Sequence, residues 1–214
     1  MGWLSPDSRF YNGLTLVTDT VIINVMFLLC SLPIVTIGAA ATGAHAALIK
    51  QVRDEGSSPA RLFWKGFKSN FGKATILWLA IVAFAALFAW EIWAIGIMEL
   101  EGLGFAITTL VLTGIILIAG FAVWCFAYLS QFRATLPETI KASAFLAFRY
   151  LPRTLVCLAL LLVQPLILFF NADALAMLVL ANILIVPAFI FYVHDILLNE
   201  PLGVHGEERS LTKI

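Results

Sequence analysis

Apolar residues in this chain are gathered into long unbroken runs, separated by short polar stretches that carry the charges. The runs cover residues 14–32, 34–49, 74–97, 105–130, 154–170 and 174–193. A helix needs ~20 apolar residues to cross the hydrocarbon layer of a bilayer. The pattern therefore predicts an all-α, polytopic transmembrane bundle, built as a single integral membrane domain over residues 1–214. It divides into a first hairpin (14–49), an interfacial helix plus hairpin (59–130), a second such unit (135–194) and a cytoplasmic tail (195–214).

The number of spans turns on residues 14–49. As one helix they would extend ~50 Å, well past a ~30 Å hydrocarbon core. Pro33 would also break such a helix near its middle. Two shorter helices turning at residues 33–38 give six spans, and a re-entrant kink at the same place gives five. The second run is dominated by small residues, Gly38 to Ala41, Gly43, Ala44, Ala46 and Ala47 among them. Such faces let helix backbones approach closely. Pro33, Thr36 and Gly38, together with Asn24, are accordingly read as a structural motif.

Two polar stretches look amphipathic. Phe63, Phe67 and Phe71 recur every fourth residue beside Trp64, with Lys65 and Lys68 on a neighbouring face. In residues 135–153, Thr135 and Glu138 form a capping box with Pro137 in the first turn. Ile140, Ala144, Phe148 and Leu151 then make a stripe, with Lys141, Arg149 and Arg153 away from it. Both segments are expected to lie at the membrane surface as interfacial helices, rings inward and cations toward headgroups. The repeated order of basic helix, span, acidic link and span is either a parallel duplication or simply what any series of hairpins looks like.

Composition agrees with the pattern. The chain is 62% hydrophobic and 12% charged, with a mean hydropathy of +0.99, against about 25% charged residues in soluble domains. Net charge is zero, so the placement of charge matters more than its sum. Lys50, Arg53, Arg61, Lys65, Lys68 and Lys73 share one loop, Arg133, Lys141, Arg149 and Arg153 another, and Arg209 and Lys213 the tail. The alternate links carry Glu99, Glu101 and Asp173 instead. Lysine and arginine bias sets orientation, so the basic loops and both termini are expected in the cytoplasm. The first residues lack the pattern of a cleaved signal peptide. Cys30, Cys125 and Cys157 sit inside apolar runs, without metal-ligand spacing or a disulfide framework.

Residues 24–40, Asn-Val-Met-Phe-Leu-Leu-Cys-Ser-Leu-Pro-Ile-Val-Thr-Ile-Gly-Ala-Ala, resemble the signature of the YesL family of bacterial integral membrane proteins. The likeness continues through Lys-Gln-Val-Arg-Asp-Glu at 50–55, Phe-Trp-Lys-Gly-Phe-Lys-Ser-Asn-Phe at 63–71 and Phe-Arg-Tyr-Leu-Pro-Arg-Thr at 148–154. The family is one of unknown function. Its members are often encoded beside sugar-uptake ATP-binding-cassette transporters and carbohydrate-degrading enzymes. The resemblance thus implies a non-enzymatic accessory role in carbohydrate uptake at a bacterial cytoplasmic membrane, with transporter membrane subunits as partners. It supplies no catalytic residues.

Candidate chemistry is sparse. Glu91 is the acidic residue deepest in a long apolar run. Buried ionisable groups in spans are functional candidates, so Glu91 could serve a small transporter or channel, or rest as a snorkelling side chain between Trp90 and Trp93. Thr20, Asn24 and Ser31 fall near one helical face and could line a polar path or bond across helices. His45, Gln164, Asn182 and Pro187 read as packing residues. A membrane enzyme acting on lipid-linked substrates would need Asp19 to meet His194 and Asp195. No hydrolase, phosphate-loop, zinc-protease or dinucleotide motif is present. No metal site and no cofactor are expected, and basic residues that track the membrane edge give no nucleic-acid surface. The lipid bilayer is the one partner that composition itself implies.

Overall fold

The computed structural model describes residues 9–55, 58–98 and 103–211. Among them it is all-helical: α1 Arg9–Ser31, α2 Ile37–Val52, α3 Pro59–Met98, α4 Leu103–Gln131, α5 Leu136–Arg149, α6 Leu151–Phe170, α7 Leu175–Leu184 and α8 Val186–Leu211. Four of these, α1, α3, α4 and α6, are long and apolar enough to cross a membrane. The pair α7 and α8, bent by 65° at the break between them, makes a fifth if taken as one span. The helices of a membrane protein are therefore present. Glu99 and Glu101, expected in the link between α3 and α4, lie outside the described residues, as does Lys213.

The turn after α1 forms where Pro33 requires it. A 3-10 turn at Ile34–Thr36 separates α1 from α2. The Thr36 hydroxyl donates to the Cys30 carbonyl at 2.5 Å, which the end of α1 leaves open, and shares its proton with the Pro33 carbonyl of the turn at 2.7 Å. Trp78 of α3 donates its indole N–H to the Ile34 carbonyl at 2.8 Å, which pins the same turn from outside.

At 16 residues α2 is the shortest helix of the first half, about 24 Å long. Its small residues make it the centre of the bundle. Residues 38–45 and 47–49 are buried, and α1, α3, α4 and α8 all pack on it. Glycine permits the approach. A Cβ on Gly38 would lie 2.6 Å from the Ala74 carbonyl oxygen and from the Trp78 Cβ. A Cβ on Gly66 of α3 would lie 2.5 Å from the Ala46 Cβ.

That packing corrects the expectation for residues 59–73. They form no separate interfacial helix but the first turns of α3, a continuous helix of 40 residues, about 60 Å long. Phe63, expected at the membrane surface, is fully buried against α2 in a cluster with Ile23, Ala44 and Leu48, and Phe67 is half-buried beside it. Trp64, Lys65, Lys68 and Phe71 remain exposed, with the Lys68 ammonium 5.4 Å from the Trp64 ring.

The second amphipathic segment is a separate helix, α5. Its Glu138 carboxylate accepts the Thr135 backbone N–H at 2.9 Å. Thr139, Ser143 and Leu146 face the protein, while Lys141, Phe148 and Arg149 are exposed. Two further corrections concern the C-terminal third. The run at 174–193 is broken at Ile185 into α7 and α8, and the expected tail from 195 continues as helix to Leu211.

Basic residues converge at one end of the bundle. Arg53 donates to Asn199 at 2.7 Å and Gln131 at 3.4 Å, Lys73 to the Ala134 carbonyl at 2.6 Å, and Arg153 to the Leu197 carbonyl at 3.3 Å and Glu200 at 2.5 Å.

Replacing Gly66 by valine should lower stability by about 1–3 kcal/mol, because the contact is with helix α2 itself and has no soft side to yield. Gly72→Ala, six residues on, has open space around its Cβ position and should be neutral or slightly stabilising. Thermal unfolding of both variants in detergent checks the contrast.

Candidate functional site

The break between α7 and α8 follows from Pro187. It has no N–H to continue the helical ladder, and its ring crowds the carbonyl four residues back. In lipid the freed peptide groups must find partners within the protein. Asn24, fully buried on α1, supplies them. Its amide nitrogen donates to the carbonyls of Asn182 at 3.1 Å and Ile183 at 3.0 Å, and its amide oxygen accepts the Ala188 N–H at 3.1 Å. A carboxamide offers two donors and an acceptor on one rigid plane, which is the set this break needs. Asn182 is held in turn by Gln164 of α6, at 2.6 Å.

Of the other residues proposed for a polar path only Thr20 is engaged, and the Ser31 hydroxyl is buried with no hydrogen-bond partner among the described residues. Thr20 donates to the Leu16 carbonyl of its own helix at 2.8 Å. Glu91 is half-buried on α3 between Trp90 and Trp93, residues that are 60% and 63% exposed. No hydrogen bond or ion pair reaches Glu91 among the described residues.

A second cluster, announced by no local pattern, joins α2 to α8. His45 Nδ1 and Asp195 Oδ1 lie 2.7 Å apart and both side chains are buried. Phe191 packs edge-on to the imidazole with ring centroids 4.9 Å apart. Asp195 Oδ2 has no hydrogen-bond partner among the described residues. His194, one residue earlier, turns the other way and its Nε2 meets the Cys157 carbonyl of α6 at 3.1 Å. The neighbours His194 and Asp195 thus serve two different helices.

A polar recess lies at the basic end, between α1, α2 and the start of α3. It has a volume of about 570 Å³ and is lined by Asp19, Lys50, Gln51, Asp54 and Glu55, with Thr15, Leu16, Ala47, Pro59 and Leu62. Lys50 and Glu55 form an ion pair across its rim. The hydrogen bond from the Lys50 ammonium holds the Glu55 carboxyl below the usual carboxylate range. Asp54 sits in the left-handed region at φ 56°. Its N–H donates to the Gln51 carbonyl at 3.1 Å and the Glu55 N–H to the Lys50 carbonyl at 3.0 Å. These are the two bonds of a Schellman turn, whose left-handed residue is usually glycine. Asp19 thus shares a wall with Lys50, while His194 and Asp195 take no part in the lining. Among the described residues no hydrogen bond joins Asp19 to His194 or Asp195, whose partners are instead Cys157 and His45. Glu91 lines neither this recess nor the apolar groove of about 240 Å³ between α4, α5 and α6. Among the described residues no cluster of three or more histidine, cysteine, aspartate or glutamate side chains is placed to hold a metal ion.

Over residues 20–92 the chain is similar to the family described as "Protein of unknown function, DUF624". That stretch runs from the middle of α1 through α2 and most of α3, and so contains Asn24, His45 and most of the recess. No curated protein and no solved structure matches the chain.

Asn24→Leu strands two carbonyls and an N–H inside the bundle and should cost about 1–3 kcal/mol, read as a lower unfolding temperature in detergent. Loss of His45 should be worse. His45→Leu leaves the Asp195 carboxylate buried without its one bonded partner and should cost about 3–5 kcal/mol. Asp195→Asn keeps a hydrogen bond to the imidazole and should cost clearly less in the same measurement.

Proposed function

We propose that this chain is a multi-pass protein of a bacterial cytoplasmic membrane, of the YesL type, acting without catalysis as an accessory or regulatory component of carbohydrate transport by an ATP-binding-cassette system. The observation that carries the non-transporting, non-enzymatic part of this reading is the engagement of Asn24. The residue best placed to line a pathway gives both ends of its amide to the α7–α8 break. Gln164 with Asn182, His45 with Asp195 and Trp124 with Thr154 are likewise bonded to each other. These polar groups hold helices together.

Six traversals of the membrane fit the chain direction. Arg53 at the end of α2 meets Asn199 and Gln131 at the basic end, whereas α1 enters its turn at the opposite end. Helix α2 therefore runs back across the bundle despite its length, and being wrapped in protein it need not match the lipid thickness. The positive-inside bias puts the basic end, and with it both termini, in the cytoplasm. There the exposed Lys65, Lys68, Lys141 and Arg149 border the lipid headgroups and offer the surface for a transporter's membrane subunits.

Amine-reactive crosslinking in native membranes should recover a sugar-permease subunit, and deletion of the gene should alter sugar uptake. Recovery of bulk membrane proteins alone, with uptake unchanged, removes the accessory role. A cysteine placed at Lys65 or Lys141 should stay unlabelled by impermeant maleimide in intact cells, and labelling from outside would reverse the orientation.

A further inference from the structure

We infer that the apolar groove between α4, α5 and α6 seats one acyl chain of an anionic phospholipid, whose headgroup lies against Arg149 at the α5–α6 corner. The site rests on the membrane reading above but not on the accessory role. Its walls include Gly120 and Phe121 of α4, Ala144 and Phe148 of α5, and Leu155 and Leu158 of α6. Thr154 is the one polar side chain in the lining among the described residues. Its hydroxyl is already committed within the protein, accepting from the Trp124 indole and donating to the Ala147 and Tyr150 carbonyls. The groove therefore offers an occupant hydrocarbon and no hydrogen bond.

Size narrows the occupant further. The groove holds about 240 Å³, more than the ~150 Å³ apolar cavity that takes a benzene ring. One turn of a helix, about 10 Å across and about 5.4 Å long, sweeps roughly 400 Å³. A partner helix is too thick for the groove, and a single hydrocarbon chain is not. Ile116, Phe148 and Leu155 of the lining are exposed, so the groove opens to the bilayer, where such chains are the solvent. From Leu151 to Leu158 it follows α6 for ~10 Å away from the α5–α6 corner. A lipid tail seated along it has its headgroup at that corner.

The corner is cationic. Lys141, Phe145 and Arg149 recur every fourth residue of α5 and so form one row. That row borders the one carrying Ala144 and Phe148, which walls the groove. The Arg149 guanidinium rests over the Phe145 and Tyr150 rings, 5.6 and 5.7 Å from their centroids, which holds it where the groove begins. Lys141 lies ~12 Å back along the row and adds a weaker pull of the same sign. Arg153 meets the Tyr150 ring as well, but its guanidinium is paired with Glu200. Glu138, the carboxylate of α5, caps the far end of the helix. Lipid tails differ little to an apolar wall, so selection falls to the headgroup, and these cations select a negative one.

The test is native mass spectrometry of the full chain in detergent, titrated with dioleoyl phosphatidylglycerol and dioleoyl phosphatidylcholine, which share tails and differ in charge. The first phosphatidylglycerol should bind about fivefold tighter than the first phosphatidylcholine, the gain expected from one cation beside an anionic headgroup. Arg149→Gln should erase that preference, Arg149→Lys should keep it, and Lys141→Gln should lower it by less. Ala144→Phe, which fills the groove, should weaken both lipids about tenfold. Phe148→Ala removes one wall at a position 63% exposed, where the fold does not depend on the ring, and should weaken both about threefold. If Ala144→Phe does not fold, Phe148→Ala decides. Glycerol 3-phosphate, the headgroup anion without a chain, should displace neither lipid. Equal binding of the two lipids, a preference unchanged in Arg149→Gln, binding unchanged in Phe148→Ala, or displacement by glycerol 3-phosphate would each overturn the site. Sugar uptake and crosslinking to a permease do not enter this measurement, so the lipid site and the accessory role can fail separately.

Discussion

Everything in this bundle is arranged around the closeness with which helices can approach α2. Lipid offers apolar side chains no more hostile a surrounding than water-excluded protein does, so helix association inside a bilayer leans on shape and on polar bonds. Gly38, Gly43 and Gly66 remove the side chains that would hold the backbones apart, and a helix of 16 residues becomes the common neighbour of four others. The first turns of α3 then have a protein surface to lie on, and Phe63 is buried there. The interfacial position that its ring would otherwise favour is no longer the better one.

Where the helices break, side chains complete the backbone. Thr36 closes the end of α1 and Asn24 mends the gap before Pro187. Thr154 takes the indole N–H of Trp124 at 2.9 Å while donating to the Ala147 carbonyl at 3.0 Å, so that one hydroxyl ties α4, α5 and α6 together. Each repair uses a small polar residue from a run that is otherwise apolar. In water such bonds would be exchanged for solvent at little net gain, and here no solvent competes.

Much of this was legible in the chain and some was not, for identifiable reasons. Long apolar runs and Pro33 carry the helices and the first turn, and Thr135 with Glu138 carries the start of α5. The spacing of Phe63, Phe67 and Phe71 reads identically whether the face meets headgroups or another helix. Gly66, between two of those rings, was the signal that a neighbour comes close. Pro187 was read as a packing residue and not as a break, because its mending residue lies on the first helix. Polarity after residue 193 suggested a tail, yet α8 continues as helix past Pro201 to Leu211, with Leu198 and Leu202 buried in the core. His45 and Asp195 are 150 residues apart, and nothing local to either announces the other. The recess was not legible, because the Schellman turn that brings Asp54 and Glu55 to the wall shared by Asp19 and Lys50 has no glycine to mark it.

The amide of Asn24 reaches across 164 residues to the Ala188 N–H, and this has a bearing on how the protein is made. A ribosome delivers α1 to the membrane long before α7 and α8 exist, so Asn24 enters the bilayer with its amide idle. The C-terminal helices in turn emerge with open peptide groups that only the oldest part of the chain can satisfy. Folding of the bundle is therefore completed by a meeting of its two ends. A nascent chain stalled or trimmed before residue 188 would carry an exposed carboxamide within the lipid, a mark by which quality control could recognise it as unfinished.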